Sequence, residues 1–276
     1  MKKLKMMVLF LLTLGFAIFT TSQMVKADMG PKPAIIVEFT GLEGEDYTVT
    51  FLGKSARGPY QNEDYHDLDP NPVMDFTYED YKFVGLYWTE SGNSTVSWTY
   101  YPPNPFRILV RLEDDSYYIS EELERYAFRS YFYFDFNNLE RGAKGSVTLV
   151  DSVQKDYDYS QEIWNFILRL IITIIVELVI AILFLYRKKL LLITIVVNTI
   201  SQIILNLILS LNFHYYGELN ALIIFILAEI GVLLIEGIIY ALTLKDKGLF
   251  RAIIYTVVAN IITFMLSFIS FNHMLR

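Results

Sequence analysis

The sequence predicts a signal peptide and an all-β, sandwich-like extracytoplasmic domain, followed by an all-α bundle of four transmembrane helices. Three observations predict this fold class. A short apolar run follows a basic N-terminus, the middle of the chain alternates apolar and polar residues, and long apolar stretches fill the C-terminal part. The predicted boundaries are 1–27 for the signal peptide, 28–160 for the β-rich domain and 161–276 for the transmembrane domain.

Residues 1–27 have the composition of a secretory signal. Three lysines flank the start of an apolar core at 7–19, and Val25 and Ala27 supply small side chains before Asp28. The apolar core is shorter than the about 20 residues that span a bilayer as a helix. Cleavage before Asp28 is therefore the predicted outcome, and an uncleaved membrane anchor is the alternative.

The middle of the chain alternates with the period of two that strands produce. A small antiparallel sandwich is predicted from seven strands at residues 34–39, 47–52, 84–88, 95–100, 106–112, 130–136 and 146–150. Turn-forming residues 90–94 separate the third strand from the fourth, which predicts that these two form a hairpin. Rows of Tyr and Phe in this domain fit either glycan or peptide binding or the two faces of a packed strand.

Four later stretches are each long enough to cross a hydrocarbon core of about 30 Å as a helix. The predicted spans are residues 163–186, 190–213, 219–244 and 249–271. Basic residues surround the first and third connections between these spans, whereas the second connection has neither lysine nor arginine. By the positive-inside rule, the first and third connections face the cytoplasm, and residues 28–160 and the C-terminus are predicted to be extracytoplasmic.

Charge and residue counts restrict the chemistry. Residues 28–160 contain 24 acidic and 11 basic side chains, so this part repels nucleic acid, and no nucleic-acid partner is expected. The chain has no cysteine, which excludes disulfides, thiolate nucleophiles and cysteine-ligated metals. It has three histidines, so His-based metal or catalytic sites have few residues from which to form. No cofactor is predicted.

Polar residues inside the predicted spans are the candidates for a functional site. An ionisable residue at the centre of a span costs about 2.5–3.5 kcal/mol on insertion scales, so these residues are expected to face the bundle interior. A spacing of four residues aligns the polar side chains of each of the first two spans in one stripe. The predicted intramembrane polar cluster consists of Glu177, Asn198, Gln202, Asn206, Glu229, Glu236 and Asn260.

Counting residues from the cytoplasmic ends, at about 1.5 Å per residue, divides this cluster into two stacked layers. The layer nearer the cytoplasm is predicted to contain Glu177, Asn198, Glu236 and Asn260. The second layer is predicted to hold Glu229, Gln202 and Asn206.

Three interpretations of the cluster stay open. In the first, the amide side chains form hydrogen bonds between helices, and neutral glutamates donate to Asn198 or Gln202. In the second, the carboxylates form a proton or cation relay. In the third, Glu177, Glu229, Glu236 and Asn198 hold a metal, and such an all-oxygen ligand set would favour a hard cation.

Features that run nearly the length of the chain match one known family. They are the segments 27–33 (ADMGPKP), 98–106 (WTYYPPNPF) and 124–128 (ERYAF), the Glu-Leu pair at 177–178, and the spacings Asn198/Gln202/Asn206 and Glu229/Glu236/Tyr240. In these features the chain resembles a family of uncharacterised exported membrane proteins from Gram-positive bacteria. The resemblance implies a mature N-terminus at DMGPKP and four C-terminal transmembrane helices, and it implies no activity or ligand.

Three functions are compatible with these observations. The first is a polytopic cell-envelope protein whose exported domain binds an envelope ligand or protein while the helices anchor it in the lipid bilayer. The second is a small proton- or cation-coupled transporter or channel module; four helices make a thin pathway, so it would need a homo-oligomer or a partner subunit. The third is an intramembrane enzyme that depends on glutamate, because the sequence has no HExxH motif or other recognisable catalytic set.

Overall fold

The computed structural model describes residues 31–61, 69–184, 188–243 and 248–274. The predicted signal peptide, residues 1–27, lies outside the described residues. The described chain divides into two compact units. The β-rich unit contains Lys32–Ser160 and Asn212–Gly217, and the helical unit contains Gln161–Leu211 and the chain from Glu218 onwards. The predicted order of a β-rich part followed by four long apolar helices is confirmed.

Strands and short 3-10 turns make up the described part of the β-rich unit. The strands are β1 (Ala34–Thr40), β2 (Asp46–Gly53), β3 (Thr77–Tyr78), β4 (Tyr81–Lys82), β5 (Tyr87–Ser91), β6 (Ser94–Trp98), β7 (Phe106–Leu112), β8 (Tyr117–Ser120), β9 (Arg129–Asp135), β10 (Val147–Val150) and β11 (Gln154–Lys155). Each predicted strand overlaps one of these strands, whereas β3, β4, β8 and β11 are not predicted from the sequence.

The strands form two sheets. The first has the order β11-β9-β1-β6, and the second has the order β10-β8-β7-β2-β4-β3, with β5 also paired to β2. Most pairs are antiparallel, but β1 lies parallel to β9 and β8 lies parallel to β10. The prediction of an antiparallel domain is therefore wrong for these two pairs, which join strands that are far apart in the sequence.

The predicted hairpin between residues 84–88 and 95–100 is wrong. β5 pairs with β2 in the second sheet, and β6 pairs with β1 in the first. The turn at residues 92–93 bonds instead to the connection between β1 and β2: the Gly92 amide donates to the Glu45 carbonyl, and the Leu42 amide donates to the Asn93 side chain. Two connections that change sheet thus lie side by side and satisfy each other's backbone groups.

One hydrophobic core joins the two sheets. Alternate residues of β1 are fully buried, as are apolar residues of β2 and β7 in the second sheet. Aromatic side chains fill this core; Phe51 packs against Trp88, Trp98 and Phe106 at ring-centroid distances of 5.4, 6.0 and 5.8 Å. The alternation seen in the sequence therefore reflects burial of one strand face, and much of the aromatic density belongs to this core.

Four helices form the helical unit. They are α1 (Ser160–Leu183), α2 (Lys188–Tyr216), α3 (Glu218–Thr243) and α4 (Leu249–Met274). Each is long and apolar enough to cross a membrane, with a mean hydropathy between 1.9 and 2.8 over the span. These helices indicate a multi-pass membrane protein, and each overlaps one of the predicted spans.

The helices carry polar side chains inside and apolar ones outside. Leu168, Ile175 and Leu207 are each more than half exposed, whereas Glu177, Asn198 and Glu236 are almost completely buried. A water-soluble bundle has the opposite arrangement, with its apolar stripe turned inward. The reversed arrangement is the one expected where lipid surrounds the helices and polar groups must find partners within the protein.

Candidate functional site

The buried polar residues of the helical unit form two networks, which together contain every residue of the predicted cluster. The carboxylate network contains Glu177, Asn198, Ser201, Glu236, Tyr240, Tyr255 and Asn260, and it draws on all four helices. The arginine network contains Arg169, Gln202, Asn206 and Glu229, from α1, α2 and α3.

Glu177 of α1 is bound to α4 in the carboxylate network. The Tyr255 hydroxyl donates a 2.9 Å hydrogen bond to Glu177 Oε2. Ala252 and Ala259 lie one turn to either side of Tyr255, and both are buried. These small side chains fit the close approach of the tyrosine ring to the neighbouring helices.

Glu236 of α3 uses both carboxylate oxygens. Ser201 Oγ of α2 donates to Oε1 at 2.7 Å, and Asn260 Nδ2 of α4 donates to Oε2 at 3.0 Å. The side chain is 0% exposed, so these two donors replace the water that a carboxylate would otherwise bind.

Asn198 links α2 to α3. Its Nδ2 lies 3.1 Å from the Tyr240 hydroxyl and 3.1 Å from the Thr194 carbonyl one turn earlier. The Tyr240 and Tyr255 rings pack edge-on with a centroid distance of 5.3 Å. The carboxylate network is therefore a continuous chain of hydrogen bonds and ring contacts across the bundle, and its glutamates have donors from neighbouring helices.

The arginine network has less complete hydrogen bonding. Arg169 Nη1 donates to Asn206 Oδ1 at 3.0 Å, and Asn206 Nδ2 donates to the Gln202 carbonyl at 2.8 Å. Three further buried atoms have no hydrogen-bond partner among the described residues: Arg169 Nε, Gln202 Oε1 and Glu229 Oε1. A buried donor or acceptor without a partner costs about 1–3 kcal/mol, so this layer is the costlier of the two to bury.

Arg169 and Glu229 carry opposite charges within the same network. Their charges interact, although no nitrogen of the arginine lies within 4.0 Å of a carboxylate oxygen in the part of the chain that the structure describes. Both side chains are more than nine-tenths buried. Arg169 therefore supplies the positive charge that offsets Glu229 in a region of low dielectric constant.

The proposed hard-cation site is not formed as a single ligand set. The described residues contain no group of three or more His, Asp or Glu side chains that could hold a metal ion. Glu177 and Glu236 belong to the carboxylate network, whereas Glu229 lies in the arginine network beside a positive charge. The three carboxylates therefore do not converge on one point in the described part of the chain.

The predicted cluster omitted three members of the carboxylate network, Ser201, Tyr240 and Tyr255, and it omitted Arg169 of the arginine network. Ser201 lies three residues after Asn198, on the same helix face, and its spacing could have identified it. Tyr255 gave a weaker signal, because a tyrosine in an apolar helix is equally expected near lipid headgroups. Its flanking alanines are the feature that could have indicated an interior position.

Comparison of the chain with protein-family models, curated proteins and solved structures found no match. The function is therefore inferred from the two units and their chemistry.

Proposed function

We propose that this chain is a multi-pass protein of the cell envelope. The acidic β-rich unit lies outside the cytoplasmic membrane and binds an envelope component, and the four helices anchor it. The observation that carries the proposal is that the β-rich unit includes Asn212–Gly217 together with Lys32–Ser160. Asn212–Gly217 are the last turn of α2 and the residue that connects it to α3. Two spans separate this connection from the start of α1, so both emerge on the same side of a membrane.

Contacts within the β-rich unit support this arrangement. The Phe128 amide donates to the His214 carbonyl at 2.7 Å. The His214 ring packs against Tyr157 and Tyr159, with centroid distances of 4.9 and 6.1 Å. The connection is thus held by the β-rich unit through both backbone and side chains, as expected if the two share one compartment.

The distribution of charge supports the orientation. The opposite ends of the helices carry the basic residues: Lys188 begins α2, and the Arg251 guanidinium donates to the Phe184 carbonyl just after α1. A cation near a helix C-terminus is also favoured by the helix dipole. By the positive-inside rule these ends face the cytoplasm. The resemblance to exported Gram-positive proteins supports the same orientation.

Exposed aromatic residues support the position of the extracytoplasmic interface. Tyr159, Trp164, Tyr215 and Tyr216 are all more than half exposed, and they lie near the start of α1 and the end of α2. Trp and Tyr are enriched where helices pass from hydrocarbon to headgroups, because their rings are apolar and their polar atoms reach water.

Single-cysteine labelling tests the orientation, because the natural chain has no cysteine. Glu113→Cys, in an exposed turn of the β-rich unit, is expected to react with a membrane-impermeant maleimide in intact cells. Lys188→Cys is expected to react only after the cells are permeabilised. Labelling of Lys188→Cys alone in intact cells would contradict the proposed orientation.

A second candidate function is a proton-handling module. Its specific support is the arginine network, where Glu229 Oε1 and Gln202 Oε1 are buried acceptors without partners among the described residues. Ionisable residues within membrane spans commonly mark proton or ion pathways. The carboxylate network adds further hydrogen-bonding groups, which come from all four helices.

Proton flux in reconstituted vesicles tests this candidate. Vesicles with the full chain and an internal pH-sensitive dye are expected to acidify faster than protein-free vesicles under an imposed potential. Glu229→Gln is expected to abolish the difference, and Glu218→Gln, at the start of the same helix, serves as the matched control. Equal flux with and without protein would exclude the proton-handling function and leave the anchoring role unaffected.

A further inference from the structure

Two arginines of the β-rich unit stand apart from its other charged residues. Arg57 lies in the segment after β2, and Arg125 lies between β8 and β9. Three of the four other arginines of the unit are paired with carboxylates: Arg107 with Glu79, Arg111 with Asp115, and Arg141 with Glu45. Among the described residues, neither Arg57 nor Arg125 has a carboxylate within 4.0 Å.

Asn104 brings the two arginines to one place. Arg57 Nη2 donates to the Asn104 carbonyl at 2.6 Å, and the Arg125 backbone amide donates to Asn104 Oδ1 at 2.8 Å. Asn104 therefore fixes the guanidinium group of Arg57 and the backbone of Arg125. Arg125 Nε is buried and has no hydrogen-bond partner in the described part of the chain.

The surroundings of Arg125 disfavour its charged form. Burial and the neighbouring Arg57 charge lower the pKa of Arg125 below its ordinary value. Two like charges near each other, with no carboxylate within 4.0 Å among the described residues, are unfavourable, and an anion bound between them offsets their repulsion. Such a pair is unexpected in a unit in which acidic residues outnumber basic ones by 23 to 11.

Aromatic residues border this position. The ring of Tyr101 covers Gly58, the residue after Arg57, and is itself 48% exposed. Tyr100 packs edge-on against Tyr101 with a centroid distance of 4.7 Å, and Lys32 Nζ lies 5.5 Å from the centre of the Tyr100 ring. An exposed aromatic ring therefore lies next to Arg57 in the chain's fold, and Lys32 lies near its aromatic neighbour.

We propose that Arg57 and Arg125 form a binding site for a phosphate group, with Asn104 holding the two arginines in place. This inference rests on the proposed binding role of the β-rich unit, and it names the chemical class of the ligand. Two guanidinium groups can each direct a fork of donors at a tetrahedral phosphate, whereas a carboxylate is already satisfied by one fork. The acidic surroundings disfavour a long polyanion, so the ligand carries an isolated phosphate.

Calorimetric titration of the full-length protein in detergent with inorganic phosphate tests the site at constant ionic strength. The wild-type protein is expected to bind phosphate more tightly than acetate. Arg57→Gln and Arg125→Gln are each expected to weaken binding by about tenfold or more, the loss expected for one charge-assisted hydrogen bond. Arg141→Gln is the matched control, because it removes an arginine that is already neutralised by Glu45, and it is expected to leave phosphate binding unchanged.

One more variant and two phosphate-containing ligands extend this test. The Arg57→Lys variant, at an exposed position, keeps the positive charge but lacks the forked donors of a guanidinium group. It is expected to bind phosphate with intermediate affinity, which distinguishes weaker binding from misfolding. Glycerol phosphate and nanodiscs that contain phosphatidylglycerol distinguish a free phosphate ester from a lipid headgroup. Absence of phosphate binding by the wild type, equal binding by Arg57→Gln, or preference for acetate would each overturn the proposal. Such a failure would leave the cysteine-labelling result, and hence the orientation, untouched.

Discussion

Asn260 Nδ2 on α4 lies 3.0 Å from Glu236 Oε2 on α3, and the other oxygen of this carboxylate accepts from Ser201 of α2 at 2.7 Å. One fully buried side chain therefore holds three helices through two donors. In a membrane, where apolar burial between helices gives little driving force, such hydrogen bonds contribute directly to helix association.

Glu236→Gln is expected to destabilise the helical unit although it preserves the side-chain shape. Glutamine keeps one oxygen for the Asn260 donor, and its NH2 group must then face Ser201 Oγ. The Ser201 hydroxyl can accept from this NH2 group and donate instead to the Asn198 carbonyl, which lies 3.2 Å away. The expected cost is therefore about 0.5–1.5 kcal/mol, the net value of one hydrogen bond. Thermal unfolding in detergent measures the loss, with the exposed Glu113→Gln in the β-rich unit as control. A Glu236→Gln variant as stable as the wild type would mean that the second carboxyl oxygen does not stabilise the bundle.

The sequence predicted the features that depend on local pattern. Hydropathy over about 20 residues was sufficient for the four helices, and an alternating pattern was sufficient for strands such as β1 and β7. The buried positions of Glu177 and Glu236 followed from the cost of exposing a carboxylate to lipid. Each of these features depends only on residues close together in the sequence and on whether water or lipid surrounds them.

Features that depend on partners far apart in the chain were beyond sequence reasoning. The parallel pairing of β1 with β9 joins residues such as Val37 and Phe132. The turn at residues 92–93 has the length of a hairpin turn, but the carbonyl of Glu45 and the amide of Leu42 satisfy its polar groups. Likewise, the hydrogen bond of Tyr255 to Glu177 depends on the packing of α1 against α4.

Gly217→Ala is expected to weaken the attachment of the α2–α3 connection within the β-rich unit. Gly217 has a φ of +82°, and an added Cβ would meet the Phe128 ring at 2.5 Å. Gly92→Ala is the matched control, because Gly92 has a φ of +67° and no atom within 4 Å of an added Cβ. Both variants lose about 1 kcal/mol or more from backbone strain. Thermal unfolding should show a larger loss for Gly217→Ala, and equal losses would contradict the contact.

Acid is expected to remove the stabilisation that Asp114 gives to the β7–β8 turn. Hydrogen bonds from the Ser116 hydroxyl and backbone amide lower the pKa of Asp114 from its ordinary value of 3.8. Because the folded-state pKa is lowered, the stabilisation is present above the unfolded-state value and is lost as pH falls through the folded-state value. Asp114→Asn should therefore cost less stability at about pH 3 than at about pH 7.

Thermal unfolding of the wild type and the Asp114→Asn variant at both pH values measures this difference. Ser116→Ala provides the control, since it keeps the carboxylate and removes the hydroxyl that contributes most to the pKa shift. The variant Ser116→Ala/Asp114→Asn should then show a smaller pH-dependent difference from Ser116→Ala alone. A cost of Asp114→Asn that does not change with pH would show that the hydrogen bonds do not favour the charged carboxylate.

Arg169→Met is expected to be the most destabilising of these substitutions. It removes the donor to Asn206 Oδ1 and the positive charge that offsets Glu229, and both residues are more than nine-tenths buried. Removal of one member of a buried charged set costs about 3–5 kcal/mol, because the remaining charge is left without compensation. Addition of Glu229→Gln removes that remaining charge. The double variant should therefore be more stable in detergent than Arg169→Met alone, whereas additive losses would mean that the two charges act independently.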